Sequence, residues 1–242
     1  MITKSIPNMF TLGNLFLGMI AIIMAIDGNY SFAAIMVIIA MLMDGLDGRV
    51  ARALGVQSEF GKELDSLSDV ISFGAAPAII VYSAAFYNLN PAIAFAVTAI
   101  FPMCGALRLA RFNVKSGIPG YFTGLPIPAA GGVLATLSLF YKDITEPYLV
   151  IATLLLSYLM ISTVKYPNFK KVGIPKKAKW IAPIIIIAGV IVAVMFTQQV
   201  AKTIFVGLVL YTIYGMSQNV KKIAKVLRRH KSSEEEVYRT KN

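Results

Sequence analysis

Four aspartates in one stretch of this apolar chain have the spacing of a divalent-cation site. Asp44 and Asp47 are three residues apart, and Asp65 and Asp69 are four residues apart. On a helix, both spacings place the two side chains on one face. Carboxylates at membrane depth are energetically costly and indicate function by default. Because no histidine or cysteine lies near them, Mg²⁺ or Mn²⁺ fits this array better than zinc does.

Two cations that share carboxylates, about 3.5–4 Å apart, are typical of phosphoryl-transfer sites. The substrate implied is a diphosphate, whose negative charge balances such cations. Gly45, Gly48, Ala51 and Gly61 interleave the acids and leave room for a nucleotide against the helix backbones, and Arg52 offers a fork suited to phosphate oxygens. Small residues also serve close packing of membrane helices. The array as a whole, rather than any one glycine, therefore indicates the site.

The elements that must position these residues are membrane helices. Hydrophobic residues make up 57% of the 242-residue chain and charged residues 14%, whereas a soluble domain has about 25% charged residues. Apolar runs of membrane-spanning length predict an all-α integral membrane protein, a polytopic bundle of about eight transmembrane helices. The predicted spans are 6–26, 31–54, 62–87, 91–112, 125–141, 146–164, 178–196 and 199–217.

The basic residues predict the orientation of these spans. With both termini in the cytoplasm, all of the 23 lysines and arginines except Lys142 and Lys202 fall in cytoplasmic segments or at cytoplasmic helix ends. This N-in/C-in topology makes the chain a multi-pass protein of the cell membrane with the acidic array facing the cytoplasm. Because the basic residues follow the loops rather than one folded face, we expect no nucleic-acid partner.

Two regions are expected along the chain. Residues 1–218 form the transmembrane domain, and residues 219–242 form a basic cytoplasmic tail. The first part of the tail alternates apolar and basic residues, which is typical of an amphipathic helix that lies on anionic membrane lipids.

The acidic array resembles the signature of the CDP-alcohol phosphotransferases, D-x-x-D-G-x-x-A-R, eight residues, then G-x-x-x-D-x-x-x-D. Every signature position is filled, by Asp44, Asp47, Gly48, Ala51, Arg52, Gly61, Asp65 and Asp69. Residues 104–114 and 120–131 are similar to the phosphatidylserine synthase branch of that family. The resemblance covers roughly residues 5–135.

The resemblance implies a homodimeric membrane enzyme that transfers a phosphatidyl group from a CDP-linked lipid to an alcohol and releases CMP. In the branch that this chain resembles, the alcohol is L-serine and the product phosphatidylserine. Carried over to this sequence, Asp44, Asp47 and Asp65 hold one metal ion. Asp44, Asp65 and Asp69 hold the second, and Asp69 is also the general base.

The same resemblance implies binding residues for the CDP-lipid, and the chemistry of serine indicates those for the acceptor. Contacts to the CDP-lipid are expected from Gly48, Ala51, Arg52, Ser58 and Gly61, and from Asn8 and Thr11 at the start of the first helix. The serine carboxylate needs a cation, for which we expect Arg108 and Arg111, with Asn113 and Lys115 behind them.

Several alternatives remain open on the sequence. The donor lipid is ester- or ether-linked, and the acceptor is serine or another alcohol such as glycerol phosphate or inositol phosphate. A phosphorylated acceptor would require a denser basic pocket. A cation- or proton-coupled transporter would place its acids near the bilayer midplane, often within paired repeats, whereas these acids cluster at one membrane side. A membrane scaffold without catalytic activity is the remaining alternative.

Overall fold

The computed structural model describes residues 2–114, 121–167 and 203–217, and these are mostly helical. Within these residues, four helices are long and apolar enough to cross a membrane: Ile6–Ile26, Tyr30–Leu54, Glu59–Asn88 and Pro91–Val114. Three apolar helices are shorter: Ile127–Phe140, Glu146–Ile161 and Thr203–Ser217. The helical membrane architecture is thus confirmed. The predicted span at 178–196 and the tail at 219–242 lie outside the described residues.

The order of elements is as follows. Helices α1 (Ile2–Ile26), α2 (Tyr30–Leu54) and α3 (Glu59–Asp69) are followed by a π-helical turn (Val70–Ala75), α4 (Ala76–Ala85), a 3₁₀ turn (Phe86–Asn88) and α5 (Pro91–Val114). Then come strand β1 (Tyr121–Thr123), α6 (Ile127–Leu137), a 3₁₀ turn (Ser138–Phe140), α7 (Glu146–Ile161) and strand β2 (Lys165–Pro167). The last described helix is α8 (Thr203–Ser217). Strands β1 and β2, of three residues each, pair in an antiparallel ribbon, and the described residues are otherwise mostly helical, as the all-α prediction expects.

Helix α1 packs along α2 after a tight turn. Gly28 adopts a positive φ of 76°, and the side chain of Asn29 caps α2 by accepting a hydrogen bond from the Phe32 amide. The buried face of α1 carries small and polar residues at helical spacing, namely Thr11, Asn14, Gly18, Ala21 and Ala25. Small residues at this spacing let membrane helices approach closely. A Cβ on Gly18 would collide with Ser72, so α1 lies directly against the π-helical turn.

The turn between α2 and α3 brings the two pairs of aspartates near each other. Gly55 ends α2 in the left-handed conformation, with φ of 65°, which glycine adopts without steric cost. Ser58 then begins α3 by accepting a hydrogen bond from the Gly61 amide at 3.1 Å. This short connection places the end of α2 and the start of α3 at the same end of the bundle.

The π-helical turn follows Asp69 directly and lies in the core. Phe73 and Gly74 are buried within it. A Cβ on Gly131 of α6 would collide with the backbone of Phe73, and a Cβ on Gly74 would lie 3.3 Å from Pro102 of α5. Irregular backbone at membrane depth is tolerated where other helices bury it. The third predicted span, 62–87, is therefore confirmed in position but contains this change of helical pitch.

Candidate active site

Three carboxylates converge where α2 and α3 meet. One oxygen each from Asp44, Asp47 and Asp65 lies within 4.8 Å of the other two. Asp47 is buried, and Asp44 and Asp65 are half-buried. A cluster of like charges that contains only oxygen donors suits a hard divalent cation, which offsets their mutual repulsion. These carboxylate oxygens therefore fit the metal ions that the sequence predicts.

Helix α1 contributes a hydrogen bond to one of these carboxylates, that of Asp47. The Thr11 hydroxyl donates to Oδ2 of Asp47 at 2.9 Å and also lies 3.2 Å from the Pro7 carbonyl oxygen. A hydroxyl has only one proton, and a charged carboxylate is the stronger acceptor. The other oxygen of Asp47 accepts from the backbone amide of Gly48. Thr11, expected as a contact to the CDP-lipid, thus also positions a predicted metal ligand.

Asp69 lies beside the three-carboxylate cluster but is not part of it. It is buried, with 5% of its surface exposed. It is close enough to Asp44 and Asp65 to be repelled by their charges, and close enough to Arg108 to be attracted by the guanidinium. Its Oδ1 accepts a long hydrogen bond of 3.4 Å from the side-chain amide of Asn14.

Asn14 is the residue at this site that the sequence analysis missed. It is fully buried, and its Oδ1 has no hydrogen-bond partner among the described residues. Two serines of the third span fix α1 beside it: Ser68 donates to the Thr11 carbonyl at 3.0 Å and Ser72 to the Asn14 carbonyl at 2.9 Å. The signal was an asparagine three residues after Thr11, on the same face of an otherwise apolar helix.

The residues expected to contact the CDP-lipid form two small groups. A Cβ built on Gly61 would lie 3.2 Å from Oγ of Ser58 and 3.3 Å from Oδ1 of Asn8, so these residues are neighbours. On α2, the guanidinium of Arg52 folds over Gly48, with Nη1 3.3 Å from a Cβ built there.

The last of these residues, Ala51, is half-buried one residue before Arg52. The structure therefore brings Asn8, Ser58 and Gly61 together and places Arg52 over Gly48.

Arg111 makes structural contacts to four carbonyl groups. Its Nη1 donates to the Ile161 carbonyl at 2.7 Å. Its Nη2 lies 3.2 Å from the carbonyls of Met160 and Ser162 and 3.4 Å from that of Thr123. Arg111 thus joins the end of α5 to the end of α7 and to β1. These contacts occupy the N–H groups that we expected to bind serine.

Asn113 is also occupied by protein partners. Its side-chain amide donates to Oγ of Ser66 at 2.9 Å and to the Glu63 carboxylate at 3.3 Å. Its backbone carbonyl accepts a hydrogen bond from Nζ of Lys62 at 3.3 Å. These contacts join α5 to α3. Lys115, the remaining residue expected to contact serine, lies outside the described residues.

Arg108 differs from Arg111 in its surroundings. Only 6% of its surface is exposed, and the guanidinium carbon lies 5.7 Å and 6.0 Å from the ring centres of Phe112 and Phe122. Its Nε has no hydrogen-bond partner among the described residues. Arg108 is therefore a buried cation near Asp69, and no backbone carbonyl of the described residues accepts a hydrogen bond from its Nε.

Known proteins are similar to this chain over two thirds of its length or more. The CDP-diacylglycerol–serine O-phosphatidyltransferase of Helicobacter pylori is 40% identical over 219 residues, 87% of this chain and 89% of that protein. The Bacillus subtilis protein of the same name is 42% identical over 166 residues, 69% of this chain and 92% of that protein. The archaetidylserine synthase of Methanothermobacter thermautotrophicus is 42% identical over 175 residues, 70% of this chain and 72% of that protein.

The sequence profile of the CDP-alcohol phosphatidyltransferases matches residues 4–164. This match spans α1 through α7 and includes all four aspartates of the predicted array. It also includes Thr11 and Asn14, which the structure places against that array. The match covers more than half of the chain, and two relatives are 40% and 42% identical over 87% and 69% of it. The chain belongs to the CDP-alcohol phosphatidyltransferase family.

Proposed function

We propose that this protein transfers a phosphatidyl group from CDP-diacylglycerol to the hydroxyl of L-serine, giving phosphatidylserine and CMP. The observation that carries the proposal is the convergence of Asp44, Asp47 and Asp65 at one end of a membrane-helix bundle. Relatives that carry the corresponding serine-transferase name support the choice of donor and acceptor.

The acidic residues supply the places for two divalent cations, Mg²⁺ or Mn²⁺, in this proposal. Asp44, Asp47 and Asp65 hold one of them, and Asp69 joins Asp44 and Asp65 for the other. Such ions, when bound, neutralise a diphosphate and stabilise the departing phosphate of CMP.

Asp69 acts as the general base. It accepts the proton of the serine hydroxyl while the bond from the serine oxygen to phosphorus forms and the bond from phosphorus to CMP breaks. A serine hydroxyl is a weak nucleophile at neutral pH, so a positioned base is needed. The burial of Asp69 and its contact with Asn14 support this role, because both limit the motion of the carboxylate.

The CDP portion of the donor lies between α2 and the start of α3. Gly48 and Ala51 leave room for the nucleotide, and Arg52 contacts a phosphate. Asn8, Ser58 and Gly61 border the same nucleotide from the other side, and Thr11 holds Asp47 in place. The close approach of Asn8, Ser58 and Gly61 supports this arrangement.

The carboxylate of serine binds at Arg108. The burial of this guanidinium and its place beside Asp69 support the assignment. Arg111 and Asn113 shape the site through their contacts with α7 and α3, and Lys115 adds positive charge near it.

The membrane arrangement completes the proposal. The chain crosses the cell membrane eight times with both termini in the cytoplasm, works as a homodimer, and presents the site to the cytoplasm. Residues 1–218 form the catalytic membrane domain, and residues 219–242 form the basic tail. The distribution of basic residues along the sequence supports this orientation.

A second donor has specific support. One relative at 42% identity is an archaetidylserine synthase, so an ether-linked CDP-lipid is the alternative to CDP-diacylglycerol. The two donors share the CDP head group, which the residues around the acidic cluster bind in this proposal. These residues therefore do not distinguish the donors, which differ in the linkage of their lipid chains.

Release of CMP from purified protein tests the function. Protein in detergent receives Mn²⁺ or Mg²⁺, an ester- or ether-linked CDP-lipid, and serine, glycerol phosphate or inositol phosphate. We expect CMP release that depends on serine and is lost in Asp65→Asn. Equal release with every alcohol, or release with only a phosphorylated acceptor, contradicts the serine assignment.

A further inference from the structure

Two polar atoms buried near the end of α5 have no partner among the described residues. One is Nε of Arg108, and the other is the hydroxyl oxygen of Tyr166 in β2, whose side chain is fully buried. Buried polar groups in proteins are nearly always hydrogen-bonded, and an exception calls for an explanation such as a catalytic role or a bound water or ion. Tyr166 lies beyond residues 4–164, to which the family profile matches.

The strand ribbon brings these two residues into one cluster. Phe122 of β1 is the Cα partner of Tyr166 in β2, and residues directly opposite in an antiparallel pair have their side chains on the same face. The ring of Phe122 lies 6.0 Å from the guanidinium carbon of Arg108. Phe122 is therefore a neighbour of both Arg108 and Tyr166.

Helix α8 closes the cluster. The rings of Tyr211 and Tyr166 have centres 5.7 Å apart, and the Tyr211 hydroxyl lies within electrostatic range of the Arg108 guanidinium. One turn later, a Cβ on Gly215 would collide with the ring of Tyr166, so the helix backbone lies directly against that ring. We call Arg108, Phe122, Tyr166 and Tyr211 the aromatic cluster.

The chemistry of the aromatic cluster suits a small anion. Burial raises the pKa of Tyr166 to about 12, so its hydroxyl remains a proton donor at neutral pH. Arg108 supplies a guanidinium N–H in the same apolar surroundings. An anion that accepts from both groups gains charge-assisted hydrogen bonds and removes the cost of two unpaired buried donors.

We propose that Tyr166 donates its hydroxyl to the carboxylate of the acceptor amino acid bound at Arg108, and that Tyr211 of α8 positions both side chains. The inference rests on the proposed function and extends it, because it assigns part of the acceptor site to the chain beyond the family match. In serine only Cα and Cβ separate the carboxyl carbon from the hydroxyl oxygen. A carboxylate held at Arg108 therefore leaves the hydroxyl near Asp69, which interacts with Arg108 electrostatically.

The test is Tyr166→Phe in the full-length protein, measured by CMP release at varied serine and at varied CDP-lipid. Loss of one hydrogen bond to a charged group is expected to raise the KM for serine roughly tenfold or more. The KM for the CDP-lipid should stay within about twofold of wild type. Tyr158→Phe is the matched control, since Tyr158 lies on α7 with 63% of its side chain exposed, and its serine KM should not change.

Ethanolamine, which is serine without the carboxylate, supplies the second readout. The wild-type preference for serine over ethanolamine, measured as the ratio of kcat/KM values, should fall by the same factor in Tyr166→Phe, because only the carboxylate contact is lost. Tyr211→Phe should change this preference in the same direction.

An unchanged serine KM in Tyr166→Phe, or equal changes in the KM values of both substrates, overturns the inference. If the wild-type protein releases no CMP with serine, the proposed function itself fails. That outcome is distinct, because it is seen before any variant is compared.

Discussion

Replacing Arg111 with alanine is expected to destabilise the fold rather than to weaken serine binding specifically. The guanidinium donates to three carbonyl groups at 2.7–3.2 Å, those of Met160, Ile161 and Ser162, and lies 3.4 Å from a fourth. These contacts join α5 to the end of α7. The sequence offered Arg111 as an equal partner of Arg108 in binding serine, so the two arginines can be separated by experiment.

The magnitude follows from the three shorter hydrogen bonds. Arg111 is half-buried, so water can reach the released carbonyls, and each bond contributes about 1 kcal/mol. Their loss lowers the free energy of unfolding by about 3 kcal/mol. For a chain of this length, that change corresponds to a fall in Tm of about 6–12 °C.

Thermal unfolding in detergent and serine kinetics below the Tm measure the two effects separately. Arg49→Ala is the control, since Arg49 is an exposed arginine of α2 and its loss should leave the Tm unchanged. Arg111→Lys should recover part of the lost stability, because an ammonium can still reach one or two of the carbonyls. A wild-type Tm in Arg111→Ala together with a raised serine KM would refute the structural role.

Three further substitutions test the site. Asp69→Asn is expected to lower kcat by about 100-fold or more while the CDP-lipid still binds, and substantial turnover in that variant excludes its role as the base. Asn14→Ala removes the contact at 3.4 Å to Asp69 and is expected to lower kcat about tenfold without changing either KM; a changed serine KM at constant kcat contradicts the positioning role. Gly61→Ala adds a Cβ 3.2–3.3 Å from Ser58 and Asn8 and should raise the KM for the CDP-lipid roughly tenfold, whereas an unchanged KM shows that the nucleotide lies elsewhere.

Local spacing was sufficient to predict that Asp44, Asp47 and Asp65 cluster, but not that Asp69 lies beside this group rather than in it. Asp44 and Asp47 share a helix face because they are three residues apart, and the glycine and serine at Gly55 and Ser58 fix the turn that brings Asp65 to them. Long apolar runs also predicted α1, α2 and α5 within a few residues of their observed bounds. In these cases the residues that determine the structure lie within a few helical turns of each other in the sequence.

Features that depend on distant partners were not predictable in the same way. The positive-inside rule and the chemistry of arginine apply equally to Arg108 and Arg111. They differ because the carbonyls that surround Arg111 come from α7, about fifty residues further along the chain. The pairing of β1 with β2 likewise joins residues 121–123 to 165–167. The π-helical turn after Asp69 packs against α1, α5 and α6, and a hydropathy pattern does not contain such contacts.

Titration of Mn²⁺ into metal-free protein, followed by electron paramagnetic resonance, tests most directly whether aspartates of α2 and α3 hold catalytic cations. The wild-type protein should remove two Mn²⁺ ions per chain from solution and regain CMP release as they bind. Asp44→Asn should lose both, because this residue is assigned to each ion. Unchanged Mn²⁺ binding in Asp44→Asn, or undiminished CMP release by the metal-free protein in excess EDTA, would contradict the account.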